Sequence, residues 1–255
     1  MGDCANCVRN TAVDSSHVRE SEQGMRSAII IPALNEAQII GAVVSSVIDK
    51  TDRVIVVDNG STDHTGEIAE RAGAFVVRVE KAGYGRACIA GAAACPEAEL
   101  LIFMDGDGAD DPNDLQSLID PIIADDYDFI VGSRAGGDME RGAMTLPQRF
   151  GNKLAAFLMK LFWNSPFTDL GPFRAIKRDK FEALALDAET CGWTVQMQVR
   201  ALKQSLKCGE VEVKYRRRVG KSKISGTFKG VVFAGYYIIG TIVVEAFRGK
   251  SNTAS

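Results

Sequence analysis

The sequence predicts a single α/β domain on a mostly parallel sheet, from three observations. Short apolar runs alternate with helix-periodic stretches, a polar loop follows most runs, and the intervening segments are long enough for crossover helices. The first run, Ala28-Ile29-Ile30-Ile31, has the continuous apolar character of a strand buried on both faces. Pro32 is expected to end it. Asn35 is then expected to cap a helix carrying Ile39, Ile40, Val43, Val44 and Val47. A second run, Val54 to Val57, leads into Asp58-Asn59-Gly60-Ser61-Thr62-Asp63, where Gly60 permits a turn and Ser61 or Thr62 can cap a helix reaching Ala72. Phe75-Val76-Val77 is the third expected strand and Gly85 to Ala94 the third helix. Leu100 to Met104 forms a fourth strand ending at Asp105, Pro112 begins the next helix, and Phe129-Ile130-Val131 is a fifth strand. After Gly132 the alternation weakens, and this half is expected to belong to the same domain.

Such sheets bind ligands outside the carboxyl ends of their strands. Three polar loops fall there, at Pro32 to Glu36, Asp58 to Asp63 and Asp105 to Asp111, and they are expected to share one crevice. Composition agrees with an ordinary globular protein: 255 residues, 46% hydrophobic and 25% charged. The net charge of −3 gives no general attraction to nucleic acid, which is excluded as a partner. The charges are nonetheless segregated. Asp105 to Asp114 holds five aspartates and no base, whereas Lys214 to Lys229 holds seven Lys or Arg and no acid. This separation suggests a cation at one place and phosphates at another. The Cys4/Cys7 pair has half of a zinc-site spacing without a second half, and leaves two readings, a zinc site or, preferred, an incidental pair in a reduced cytosolic chain. Residues 1–26 are polar, lack the apolar stretch of a secretory signal, and are expected to form a disordered tail.

Asp105-Gly106-Asp107, directly after a buried run, is the strongest local signal. Two carboxylates at i and i+2 can share a hard cation such as Mg²⁺ or Mn²⁺, and Gly106 and Gly108 let the backbone bend around it. Asp58 ends a strand, where it can reach a base or ribose, while Asp63 is better explained by the first turn of its helix. Lys81-Ala82-Gly83-Tyr84-Gly85-Arg86, basic and glycine-rich before a helix, can touch a pyrophosphate. It is not a Walker A sequence, and no Gly-x-Gly-x-x-Gly follows the first strand, which disfavours a P-loop NTPase or a Rossmann dehydrogenase. The loop Arg217-Arg218-Val219-Gly220-Lys221-Ser222-Lys223 has no counter-charge nearby in sequence, as expected if a phosphate supplies it.

Taken together, these segments resemble glycosyltransferase family 2, most closely its dolichyl-phosphate mannose synthase branch. Pro32-Ala33-Leu34-Asn35-Glu36 matches the opening Pro-x-x-Asn-Glu, Val54 to Thr65 the second-strand motif, and Asp105-Gly106-Asp107 the acidic metal motif. Ile130 to Arg134, Arg149 to Asn152, Asp169 to Arg174 and Arg217 to Lys223 follow in order, so the resemblance covers about residues 28–224. It implies a GT-A fold, a GDP- or UDP-hexose donor and an inverting transfer. Pro32, Leu34, Glu36, Asp58 and Asn59 would line the nucleoside, and Asp105, Gly106 and Asp107 would hold nucleotide and metal. Arg149, Arg217 and Lys223 would face phosphates, the first two as catalytic groups. Three positions depart from the pattern: Asn59 replaces an aspartate, Ala109 stands where a Gln often binds the metal and leaves Asp110 as a substitute, and Gly171-Pro172 replaces a Thr/Ser-Gly-Gly turn.

The expected acceptor is a polyprenyl or dolichyl phosphate, whose second pKa near 6 makes it an anion at neutral pH and removes the need for a base. Transfer to a hydroxyl, with Asp169 as base, is the alternative. A sugar nucleotidyltransferase would want a glycine- and lysine-rich first loop, and the intact acidic motifs argue against an inactive binding module. The domain is placed at residues 27–227, followed over residues 228–247 by an apolar helix. Gly230 to Val244 is uncharged, about 22 Å long as a helix and too short to cross a bilayer of roughly 30 Å. It is expected to lie in the membrane interface or pack on another subunit, giving a peripheral protein at the cytoplasmic membrane face.

Overall fold

The computed structural model describes residues 25–220 and 228–248. The Cys4/Cys7 pair, most of the expected tail, and the basic-loop residues Lys221 and Lys223 lie outside them. In chain order the elements are β1 (Ser27–Ala33), α1 (Ile40–Val47), β2 (Arg53–Asp58), α2 (Thr65–Arg71), β3 (Phe75–Arg78), α3 (Tyr84–Ala93) and β4 (Leu100–Phe103). A short 3₁₀ turn (Pro112–Asp114) precedes α4 (Leu115–Ile123), β5 (Phe129–Ser133), α5 (Leu146–Trp163) and β6 (Arg174–Lys177). The chain continues through α6 (Arg178–Ala183), α7 (Trp193–Lys203), β7 (Cys208–Glu212) and α8 (Phe228–Phe247).

The seven strands form one sheet in the order β3-β2-β1-β4-β6-β5-β7. β1 pairs in parallel with both β2 and β4, β2 with β3, and β5 with β7, while β6 runs antiparallel between β4 and β5. Alternate side chains divide between two cores, as the strand period of two requires. Ile30, Ile55, Val57, Leu101 and Phe103 meet Ala87 and Cys88 of α3 and Trp193 and Met197 of α7. Ile29, Ile31, Val54, Val56 and Ile102 meet Val43 and Val44 of α1 and Leu118 and Ile119 of α4. Each fully buried aliphatic side chain contributes about 1.5–3 kcal/mol, so the apolar runs that mark the strands also hold the sheet closed on both faces.

Several local expectations are corrected. Pro32 does not end β1, which runs on to Ala33 with Pro32 opposite Val57. The carbonyl of Ile30 points to β4 and that of Ala33 to β2, so the missing Pro32 N–H falls on the β4 side, beyond the bond from Met104 N–H to the Ile30 carbonyl and past the end of the paired register. Asn35 does not cap α1. It adopts φ 53°, and its side-chain oxygen accepts from the Thr62 N–H at 2.7 Å, tying two loops together. Nor do Ser61 or Thr62 cap α2, which starts at Thr65; Asp63 accepts the Thr65 N–H at 3.1 Å, as its first-turn reading requires.

The order 2-1-4 reverses direction between β1 and β4, and a crevice opens outside the strand ends at such a switch point. At the other end of the chain, α8 packs beside α5 and α7. Ile242 is fully buried there, and buried Glu245 takes Arg200 Nε at 2.9 Å and Lys203 Nζ at 3.2 Å. No described helix is long and apolar enough to cross a membrane.

Candidate active site

The loop after β4 carries Asp105, Asp107, Asp110 and Asp111 within seven residues, and all but the half-buried Asp105 are buried. Gly108 makes this possible by adopting φ 74°, a left-handed turn that few other residues accept. The carboxylates are spread over different donors. Asp105 Oδ1 accepts the Tyr84 hydroxyl at 3.1 Å, Asp107 Oδ1 accepts the Ala109 N–H at 2.9 Å, and Asp110 Oδ2 accepts the Asp105 N–H at 3.2 Å. Burial, then the charge of Asp107, raises the Asp105 carboxyl to about 7. Burial with Asp105 and Asp107 pushes Asp110 well above the ordinary carboxylate range.

The basic segment folds directly against these acids. Val219 N–H donates to the Asp107 carbonyl at 3.0 Å and Arg216 N–H to the Ala109 carbonyl at 2.8 Å. Arg216 then reaches Asp111 at 2.6 Å, and Arg218 reaches Asp107 at 3.0 Å and Glu36 at 3.3 Å. The counter-charges that the sequence lacks locally therefore arrive as protein groups from far upstream, Asp111 from 105 residues and Glu36 from 182. Arg217 points the other way. Its guanidinium donates to the Arg141 carbonyl at 2.8 Å, its backbone N–H to Glu140 at 2.7 Å, and it does not line the crevice.

The crevice is a cavity of about 800 Å³ lined by Pro32, Leu34, Glu36, Asn59, Asp105, Gly106 and Asp107, as the sequence leads one to expect. Asp58 is absent from its wall; it accepts the Ser61 N–H at 2.9 Å within its own turn. Of the 81–86 loop, Ala82, Gly83 and Tyr84 line it, with Gly83 N–H bonded to Asn59 Oδ1 at 2.8 Å, while Arg86 is drawn off to Glu189. Arg149 does not line this cavity; it lines a second one of about 650 Å³, together with Lys153, Lys160 and Arg134, which borders both.

Among the described residues, the cations on the wall of the main cavity are Arg134 and Arg218; both lie in segments the sequence marks, Ile130 to Arg134 and the basic loop, though neither is assigned a role there. Arg134 is gripped by Asp169 through Nε at 2.7 Å, Nη2 at 2.8 Å and its own backbone N–H at 2.8 Å, and stands over the Tyr215 ring at 4.9 Å. Burial opposes ionisation of Asp169, but the Arg134 guanidinium overcomes it and holds the carboxyl below its usual range. Asp169 thus supports Arg134; Arg174 donates to the carbonyls of Leu170 and Thr194 at 2.9 Å. Gly171 has a packing reason: a Cβ there would lie 2.0 Å from the Gly132 carbonyl oxygen. Beyond the acids the cavity continues between α5 and α8, against Phe150, Leu154, Phe233, Ile238 and Ile239.

The donor set suits a hard cation only in part. Among the described residues no group of three or more His, Cys, Asp or Glu gathers as a complete metal cage. Asp105 and Asp107 offer oxygen ligands whose mutual repulsion a divalent ion would relieve, with a substrate's phosphates completing the sphere. Two buried polar atoms beside them, Asp110 Oδ1 and Arg218 Nε, have no hydrogen-bond partner, as expected where a charged ligand belongs.

An acidic and arginine-lined crevice at a sheet switch point is where α/β proteins of this class bind their ligands. The chain belongs to glycosyl transferase family 2, whose family model matches residues 28–185. It is 34% identical over 192 residues to glycosyltransferase AglJ of Haloferax volcanii, covering 74% of this chain and 63% of that protein. It is 31% identical over 230 residues to a dolichyl-phosphate hexose transferase of the same organism, covering 87% of this chain and 96% of that one. In three dimensions it matches glucosyl-3-phosphoglycerate synthase from Mycobacterium tuberculosis, solved with Mn²⁺, uridine diphosphate and phosphoglyceric acid. The TM-score is 0.71 at 20% identity, covering 88% of this chain and 79% of that one. The fold is GT-A, and the chain is a glycosyltransferase.

Proposed function

We propose that the chain transfers a hexose from a nucleoside-diphosphate sugar to a polyprenyl or dolichyl phosphate, with inversion, at the cytoplasmic face of a membrane. The observation that carries this reading is the two-sided cavity. Its floor is acids and arginines, and the same space continues against Phe150, Leu154, Phe233, Ile238 and Ile239. A soluble hydroxyl acceptor would leave that apolar wall in water, whereas an isoprenoid tail covers it while its phosphate reaches the cations. The name of the Haloferax relative supports the same acceptor. The Mn²⁺ and uridine diphosphate of the solved neighbour support a divalent metal and a diphosphate donor.

Asp105 and Asp107 would hold Mg²⁺ or Mn²⁺, which when bound supplies Lewis-acid stabilisation of the departing diphosphate. Asn59, Leu34 and Glu36 would bound the nucleoside end. Arg134, fixed by Asp169, and Arg218 would neutralise phosphates and hold the acceptor oxygen in line with the anomeric carbon. As that oxygen bonds to the carbon, the bond to the diphosphate breaks. The lipid phosphate is already an anion, so no proton need be removed. Asp169 has both oxygens engaged by Arg134, which speaks against its service as base for a hydroxyl acceptor. The test is a donor panel of GDP- and UDP-hexoses with Mg²⁺ or Mn²⁺, offered polyprenyl phosphate or hydroxyl acceptors. Turnover confined to the lipid phosphate supports the proposal; turnover only with hydroxyls overturns it.

A further inference from the structure

We infer that the outward face of α5 is a docking surface for an anionic lipid bilayer. Leu146, Phe150, Leu154, Phe157 and Leu161 follow one another at helical spacing and form a single stripe. They are 79%, 71%, 37%, 62% and 64% exposed, whereas Ala155 and Met159, on the opposite side, are buried. A surface helix ordinarily turns its polar side outward; this one is apolar both toward the core and away from it. Arg149, Lys153 and Lys160 fall on the stripe next to the exposed apolar one, and no Asp or Glu occurs anywhere in α5. An apolar face flanked by cations alone matches the boundary between lipid headgroups and acyl chains.

The charge pattern also selects among occupants. A second copy joined face to face would set the same cations against each other with no acid on either helix to meet them. A bilayer with anionic headgroups supplies both an apolar layer and the counter-charge. The neighbouring helix α8 adds exposed Phe233, Tyr236, Val243, Val244 and Phe247, and the main cavity lies between the two helices. Seating α5 on the bilayer would bring that cavity to the lipid. The inference rests on the lipid-acceptor reading for this orientation only. Vesicle binding measured without substrates therefore separates failure of the surface from failure of the reaction.

Deleting α8 is a poor probe, because it would also remove Ile242 and Glu245 from the core. Exposed-site substitutions on the full chain avoid this. Flotation is run with phosphatidylcholine vesicles, alone or containing phosphatidylglycerol, at low and high salt. Wild type should float with the anionic vesicles and be released by salt. Lys153→Glu with Lys160→Glu should lower that affinity at least about 25-fold, at about fivefold per cation. Leu146→Ser with Leu161→Ser should weaken binding to both vesicle types, and Val244→Ser with Phe247→Ser less than either α5 pair. Melting curves check the fold, and if one α5 pair is unstable the other decides. Wild type left unfloated, α5 variants that bind like wild type, or binding lost in the α8 pair alone would each overturn the inference. So would a dimer that the α5 serine pair converts to a monomer, because a second copy would then cover the face.

Discussion

Replacing Asp169 tests whether it positions Arg134 or acts as a base. The pair is buried, with side-chain exposures of 11% for Arg134 and 1% for Asp169. Asp169 accepts three hydrogen bonds from Arg134 at 2.7–2.8 Å. Removing one member of such a pair leaves an uncompensated buried charge, at about 3–5 kcal/mol. Asp169→Asn, which keeps the shape but turns an amide toward the guanidinium, should cost about 2–3 kcal/mol. With Arg134→Met the charge itself goes, so the double variant should be more stable than the summed single effects by about 2–3 kcal/mol. Urea unfolding of the four proteins, extrapolated linearly, gives that coupling. The acid limb adds a signature. Asp169 has a depressed folded pKa, so its contribution is full above the unfolded value of about 3.9 and is lost as pH falls through the folded one. Asp169→Asn should therefore flatten the loss of stability below about pH 4. Additive single effects, or a variant that abolishes turnover while Arg134→Met retains it, would refute the positioning role.

Three further outcomes are expected. Asp107→Ala should reduce turnover more than about a thousandfold, as should EDTA, with stability changed by no more than about 1 kcal/mol because it also relieves repulsion among Asp105 and Asp110; substantial activity in either case contradicts the metal site. Arg218→Ala should raise the donor KM at least about tenfold while Arg217→Ala leaves it within about twofold, since only the former lines the cavity; steady-state kinetics decides, and the reverse order would contradict the geometry. Glu245→Ala should destabilise by about 3 kcal/mol in urea, because Arg200 and Lys203 lose a buried partner; an effect below about 1 kcal/mol would show that α8 is only loosely attached.

The first five strands are legible because each is an apolar run of four or more residues, or close to it, before a polar loop. β6 and β7 are not. Arg174-Ala-Ile-Lys177 and Cys208-Gly-Glu-Val-Glu212 carry charges inside or at the ends of short strands, and their pairing is set by neighbours far away in sequence. The acidic motif is legible for a local reason, two carboxylates at i and i+2 after a strand. Which arginine serves it is not. In the extended segment successive side chains alternate sides, so Arg216 and Arg218 meet Asp111 and Asp107 while Arg217 faces Arg141. One residue of register separates the two readings, and composition cannot resolve it. For Arg149 the rotation of α5 about its axis decides, setting it in the second cavity beside Arg134, Lys153 and Lys160. The partnership of Arg134 with Asp169 spans 35 residues and had no local sign beyond the strand that Arg134 follows.

The central claim is that a lipid phosphate oxygen attacks the anomeric carbon directly. Nuclear magnetic resonance of the purified product measures this. The account predicts an anomeric proton coupled to a single phosphorus, with the anomeric configuration opposite to that of the donor. An anomeric centre without phosphorus coupling, or one that keeps the donor's configuration, would contradict it.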